Sequence, residues 1–130
     1  MLTGSPGERP AAELIADAAG LGPEAVLAGR TELLELAGVV AAAGRLACGD
    51  TGVAHLATAF GVPSLVLFGP TPPAEWGPPP DRPQHRALWT GGRGDSHAAE
   101  PDPGLVAITA EQVVTALGAL PAATARRLAA

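Results

Sequence analysis

Residues 45–68 read Arg45-Leu46-Ala47-Cys48-Gly49-Asp50-Thr51-Gly52-Val53-Ala54-His55-Leu56-Ala57, then Thr58-Ala59-Phe60-Gly61-Val62-Pro63-Ser64-Leu65-Val66-Leu67-Phe68. Arg45–Cys48 is a short apolar strand candidate. Asp50-Thr51 opens a helix with Val53, Leu56, Ala57 and Phe60 on one face, and Gly61-Val62-Pro63 stops it. Ser64–Phe68 is a continuous apolar run. Such runs mark strands covered on both faces, which is how parallel sheets read. A strand, a helix and a covered strand in succession predict a βαβ unit.

The pattern extends upstream. Thr31 is placed to cap a helix reaching Ala43, with Leu33, Leu36, Ala37 and Val40 inward and Gly44 at its close. Val26-Leu27 is a short strand candidate. Glu8–Ala19 predicts a helix whose apolar positions Ala11, Leu14, Ile15 and Ala18 follow i, i+3, i+4, i+7 spacing, ended by Gly20 and Gly22. Met1–Thr3 reads as the end of a strand entering the loop Gly4-Ser5-Pro6-Gly7. The resulting β-α-β-α-β-α-β order predicts an α/β fold: a Rossmann-like parallel sheet with helices on both faces.

Downstream the character changes. Gly69–Asp81 holds six prolines, at 70, 72, 73, 78, 79 and 80. Arg86–Trp89 is a last strand candidate, and 90–104 reads as a polar, glycine-rich mobile loop. Thr109–Leu120 is a helix with a Thr109/Gln112 capping box, and Ile108 with Val113 could staple its entry. The organisation expected is one partial domain over 1–120 and a tail over 121–130.

Composition sets limits. The chain has 130 residues, including 28 Ala, 17 Gly and 14 Pro, with eight basic residues, all Arg, and a net charge of −5. The length suits one domain. An acidic chain without Lys is a poor candidate for a sequence-independent nucleic-acid binder. One Cys excludes a disulfide framework and makes a reduced, cytoplasmic setting the default. No leader pattern or membrane span is readable, since Gly61, Pro63, Ser64 and His55 interrupt the long uncharged stretch 53–74.

Three loops carry candidate chemistry, and all follow strands at the edge where open parallel sheets bind ligands. In Gly49–His55, backbone N–H groups at a helix start form an anion site, Gly52 admits a phosphate, Thr51 adds a hydroxyl, and His55 can aim a ring N–H at the same anion. The competing reading makes Asp50 or Thr51 an ordinary cap and His55 a half-buried structural histidine. In Gly4-Ser5-Pro6-Gly7-Glu8, Glu8 could accept hydrogen bonds from a ribose diol or simply favour a helix start. Phe68-Gly69-Pro70-Thr71 is the third. Cys48 reads as buried and inert, and His85 and His97 have no companion ligands. Arg93-Gly94-Asp95 spells an adhesion tripeptide that a chain rich in these residues makes by chance.

Together these pieces resemble the donor-binding half of glycosyltransferase family 9, the ADP-heptose:lipopolysaccharide heptosyltransferase family. The matching residues are Leu2–Glu8, Leu33–Ala37, Gly49–Ala57, Gly61–Pro63, Leu67–Pro73, Trp76–Pro78 and Ile108–Val113. The resemblance implies the C-terminal half of a GT-B fold, in which two Rossmann-like domains face each other across a cleft. It also implies an inverting transfer of a heptose-like sugar from a nucleoside diphosphate to a glycan or lipid-linked acceptor, with no metal or other cofactor. Asp50, Thr51, Gly52 and His55 would meet the diphosphate and donor sugar. Glu8 would meet the ribose, and Gly4, Ser5, Gly69, Pro70 and Thr71 would border the pocket. The family's catalytic carboxylate, its acceptor domain and a basic phosphate ligand fall outside the matched motifs, so no catalytic residue is expected here. The setting implied is the cytoplasm, peripheral to the inner face of the membrane. The alternative is a non-catalytic Rossmann-type interaction module, or half of a split enzyme, associating through an exposed sheet edge with itself or a partner chain.

Overall fold

The computed structural model describes residues 1–96 and 98–121. Of the expected tail over 121–130, residues 122–130 lie outside the described residues, as does His97. The chain forms two compact units, 1–39 and 40 onward.

In the first unit a 3-10 turn over Pro6–Glu8 leads into α1, Arg9–Ala18. Pro6 and Pro10 stand in the opening turns of these two elements, where a missing N–H costs nothing. The two expected strands contract to one parallel bridge, Leu2 with Val26. Leu2 N–H donates to Ala25 O at 2.7 Å, and Leu27 N–H donates to Leu2 O at 2.8 Å. A second 3-10 turn, Pro23–Ala25, precedes the bridge.

The inward face of α1 differs from the sequence reading. Ala12 and Ala16 are buried against Val26 and Ala28, whereas Leu14 is 72% and Ile15 55% exposed. Ala11 and Ala18 are exposed as well. The apolar stripe of α1 is wider than the surface the 26–28 segment offers. The alanine pair at i, i+4 spacing allows the closest approach, and it occupies that surface.

Next comes α2, Leu33–Ala42. Its start also differs from the sequence reading. Glu32, and not Thr31, stands directly before the first helical residue, and Glu32 N–H donates to Glu35 Oε2 at 2.8 Å. Val40 is buried, Leu36 and Ala37 are half-buried, and Leu33 is exposed, contrary to its expected inward place.

The second unit holds the sheet. In chain order, β1 is Leu46–Gly49, α3 Gly52–Phe60, β2 Ser64–Leu67, α4 Pro73–Trp76, β3 His85–Leu88, α5 Pro103–Val106 and α6 Ala110–Gly118. The strands are parallel in the order β1-β2-β3, with Leu46 opposite Ser64 and Ser64 opposite His85. The apolar run is the central strand, as its composition predicts, and Leu65, Val66 and Phe68 are almost fully buried. On α3, Ala54 and Ala57 are the buried residues, while Val53, Leu56 and Phe60 are half-buried. Gly61 ends α3 at φ 68°, a left-handed conformation that glycine adopts without a Cβ clash.

The capping box of α6 forms as the sequence predicts. Thr109 N–H donates to Gln112 Oε1 at 2.8 Å, and Gln112 N–H donates to Thr109 Oγ1 at 3.2 Å. The 90–104 segment is irregular only in part. Its end enters α5, because Asp102 Oδ1 accepts from Leu105 N–H at 3.0 Å and Pro103 fits the first helical position. Among the described residues no helix is long and apolar enough to cross a membrane.

Candidate functional site

The turn after β1 carries the main candidate. Gly49, Asp50, Thr51, Gly52 and His55 are all exposed. Thr51 is the N-cap of α3, with extended backbone at φ −144° and ψ 170°. Its side chain makes no cap hydrogen bond. A helix leaves its first N–H groups without intrahelical partners, and here the residue best placed to satisfy one does not. A Cβ at Gly52 would meet nothing within 4 Å. The result is an open, partly positive helix terminus with a hydroxyl beside it, which can accept an anion. Thr51 and His55 stand four residues apart, one turn along the same helix face.

The turn before α1 is built differently. Ser5 N–H donates to Glu8 Oε2 at 2.7 Å, and Glu8 N–H donates to Ser5 O at 3.1 Å. Hydrogen bonds from the Ser5 hydroxyl, and then from its backbone, hold the Glu8 carboxyl below the usual carboxylate range. Glu8 is exposed, and one of its oxygens already serves the turn. Gly4 is half-buried and Ser5 exposed. These residues lie in the first unit, whereas Asp50, Thr51, Gly52 and His55 lie in the second.

The loop after β2 is anchored through its carbonyls. Trp89 Nε1–H donates to Gly69 O at 3.2 Å, and Gly94 N–H donates to Pro70 O at 3.3 Å. Thr71 is half-buried.

A cavity of about 150 Å³ lies beside α3. Its walls are Ala54 and His55 from α3, Val66 and Phe68 at the end of the central strand, and the segment Trp76–Pro79. Thr58 also borders it, but its hydroxyl donates to Ala54 O at 3.1 Å. Of the side chains given a ligand role in the sequence, His55 lines this space, and Phe68 at the start of the third candidate loop lines it too. Trp76, Gly77, Pro78 and Pro79 were not read as site residues. The available signal was an aromatic residue set among prolines, inside a motif of the family pattern. Gly77 is required there for space, since a Cβ would run into the Pro73 carbonyl.

Two other groups have structural roles. Burial, and secondarily the charge of Asp50, pushes the Cys48 thiol up to about 11. It therefore stays protonated and unreactive at neutral pH, as its place in an apolar strand suggests. His85 is buried at 5% exposure, and its Nδ1 lies 2.8 Å from Ser64 Oγ. Burial and then Arg82 lower its pKa, which favours the neutral ring. Among the described residues, no group of three or more His, Cys, Asp or Glu is placed to hold a metal ion.

Comparison with known proteins agrees with the motif reading. The sequence profile of glycosyltransferase family 9 (heptosyltransferase) matches residues 1–100. The lipopolysaccharide heptosyltransferase 1 of Pseudomonas aeruginosa is 49% identical over 70 residues, covering 54% of this chain and 19% of the relative. The chain thus spans about a fifth of that relative's length. No solved structure matches.

Proposed function

The chain belongs to glycosyltransferase family 9, and from that premise we propose that it binds the nucleotide-sugar donor of a heptose-like transfer. The carrying observation is the N-terminus of α3, where Thr51 occupies the cap position without spending its hydroxyl. The diphosphate docks on the first amides of α3, on Thr51 and on the imidazole of His55. Asp50, an anion, suits a sugar hydroxyl better than a phosphate, because two like charges side by side repel. In the second unit, Gly69, Pro70 and Thr71 flank the donor. In the first unit, taken by itself, Glu8 offers a ribose the oxygen that does not serve Ser5, with Gly4 and Ser5 beside it.

The transfer itself is an inverting displacement at the anomeric carbon. The glycan or lipid-linked acceptor attacks, and the diphosphate leaves onto donors already oriented toward it. No residue of this chain is assigned as the catalytic carboxylate or as part of the acceptor platform. The setting is the cytoplasmic face of the membrane, where such an acceptor is reached. A helix terminus contributes only about 0.3–1 kcal/mol toward an anion, so binding by this chain alone is weak.

Calorimetry with ADP-heptose tests the reading. Asp50→Ala and His55→Ala are each expected to lose roughly tenfold in affinity, the worth of a hydrogen bond to a charged group. Parental affinity in both variants would refute the site.

One observation favours a second reading. Leu33 is 71% and Leu34 85% exposed, and such side chains suit a module that docks on a partner chain. Light scattering separates the two: a concentration-independent monomer that binds donor supports the first reading.

A further inference from the structure

The cavity beside α3 extends the donor reading and rests on it. We propose that it receives the ring of the transferred sugar, stacked on Trp76, and that Trp76 selects for the presence and shape of that sugar. Three observations converge. The cavity measures about 150 Å³, a size at which an apolar cavity takes one six-membered ring. Its walls are apolar and aromatic, from Phe68, Trp76, Pro78 and Pro79, yet Trp76 is 64% exposed, so the mouth opens to water. That combination suits a ring with one C–H face and a hydroxylated rim: the face covers the indole while the hydroxyls stay solvated. A fully enclosed apolar pocket would strand those hydroxyls.

The third observation is continuity. His55 lines the cavity and also lies four residues, about one helical turn, from Thr51, about 6 Å along the axis. A sugar joined to a diphosphate at the N-terminus of α3 reaches the cavity past His55 without a spacer. Gly77 keeps the wall in place, since its lack of a Cβ lets the chain fold back on the Pro73 carbonyl.

The test compares ADP-heptose with ADP, and GDP-mannose with GDP, by calorimetry on the full chain and on Trp76→Ala and Trp76→Phe. Trp76 is exposed enough for substitution to leave the fold intact, which circular dichroism checks. The parent is expected to bind at least one diphosphate sugar more tightly than its free diphosphate. Trp76→Ala should lower that affinity roughly three- to tenfold, with binding of the free diphosphate unchanged, and Trp76→Phe should restore most of the loss. In a Trp89→Phe background, Trp76 emission should respond to the diphosphate sugar and not to the diphosphate. If Trp76→Ala binds sugar and free diphosphate as the parent does, the cavity assignment is overturned while the donor reading stands. If the parent binds neither, the donor reading falls and the cavity assignment with it.

Discussion

Two turns in this chain look alike in sequence and differ in how their polar groups are used. Gly4-Ser5-Pro6-Gly7-Glu8 and Gly49-Asp50-Thr51-Gly52-Val53 each bring an extended segment into a helix, with glycine and a hydroxyl residue at the entry. In the first, Ser5 and Glu8 satisfy each other, and the carboxylate is drawn into the turn. In the second, Thr51 sits at the cap with its side chain uncommitted, and Gly52 faces open space. A turn that closes its own hydrogen bonds stabilises the chain. A turn that leaves them open is available to a ligand.

The largest expected effect comes from Gly52→Asp. A carboxylate in the first turn favours the helix dipole, by about 0.3–1 kcal/mol, and nothing nearby obstructs the new side chain. The same carboxylate occupies the anion's approach and repels it. Thermal stability should hold or rise while donor affinity falls more than tenfold. If affinity and stability fall together, the open turn is a structural element and the contrast with the first turn collapses.

A smaller effect separates the hydroxyls. Removing an N-cap side chain ordinarily costs about 0.5–2 kcal/mol. Thr51→Ala should fall below that range, since no cap bond is lost, and its cost should appear in donor binding. Ser5→Ala should do the reverse: it removes the hydroxyl that bonds the Glu8 carboxylate and so loosens the start of α1, as hydrogen exchange of the first-turn amides would report. Equal destabilisation by the two substitutions would show that the Thr51 hydroxyl is spent in its own turn as well.

The sheet was more legible than the site, for a physical reason. Ser64–Phe68 carries its own evidence, because an uninterrupted apolar run must be covered on both faces, and it is the central strand. The box of α6 is equally local, since Thr109 and Gln112 need only each other. The Met1–Thr3 and Val26–Leu27 strands were less legible: a strand needs a partner along its length, and Leu2 and Val26 share one bridge. The face of α1 depended on which surface was small enough to approach, which spacing does not encode. For the site, motif and resemblance singled out Asp50–His55, but the cavity wall at Trp76–Pro79 forms only when a proline-rich segment folds back beside α3. Glu8 carried two readings in sequence, and the turn geometry supplies one of them.

The smallest expected effect is the response to acid, and it falls on the first turn. The Glu8 carboxyl is held below its ordinary value of 4.5 by hydrogen bonds from Ser5. A carboxyl depressed in the folded state contributes stability that is complete above the unfolded value. That contribution is lost as pH falls below 4.5 and through the folded value. Glu8 is exposed, so the loss is local: the amides of Ser5 and the first turn of α1 should exchange faster as pH drops from about 5 toward 3, once the intrinsic exchange rate is divided out. The cap position of α3 holds Thr51, which does not titrate, and its first turn should show no matching step from the cap. Glu8→Gln keeps an acceptor for the Ser5 N–H and removes the charge, so it should retain the turn at neutral pH and abolish its acid step. An unchanged acid step in Glu8→Gln would mean that another carboxylate holds the turn.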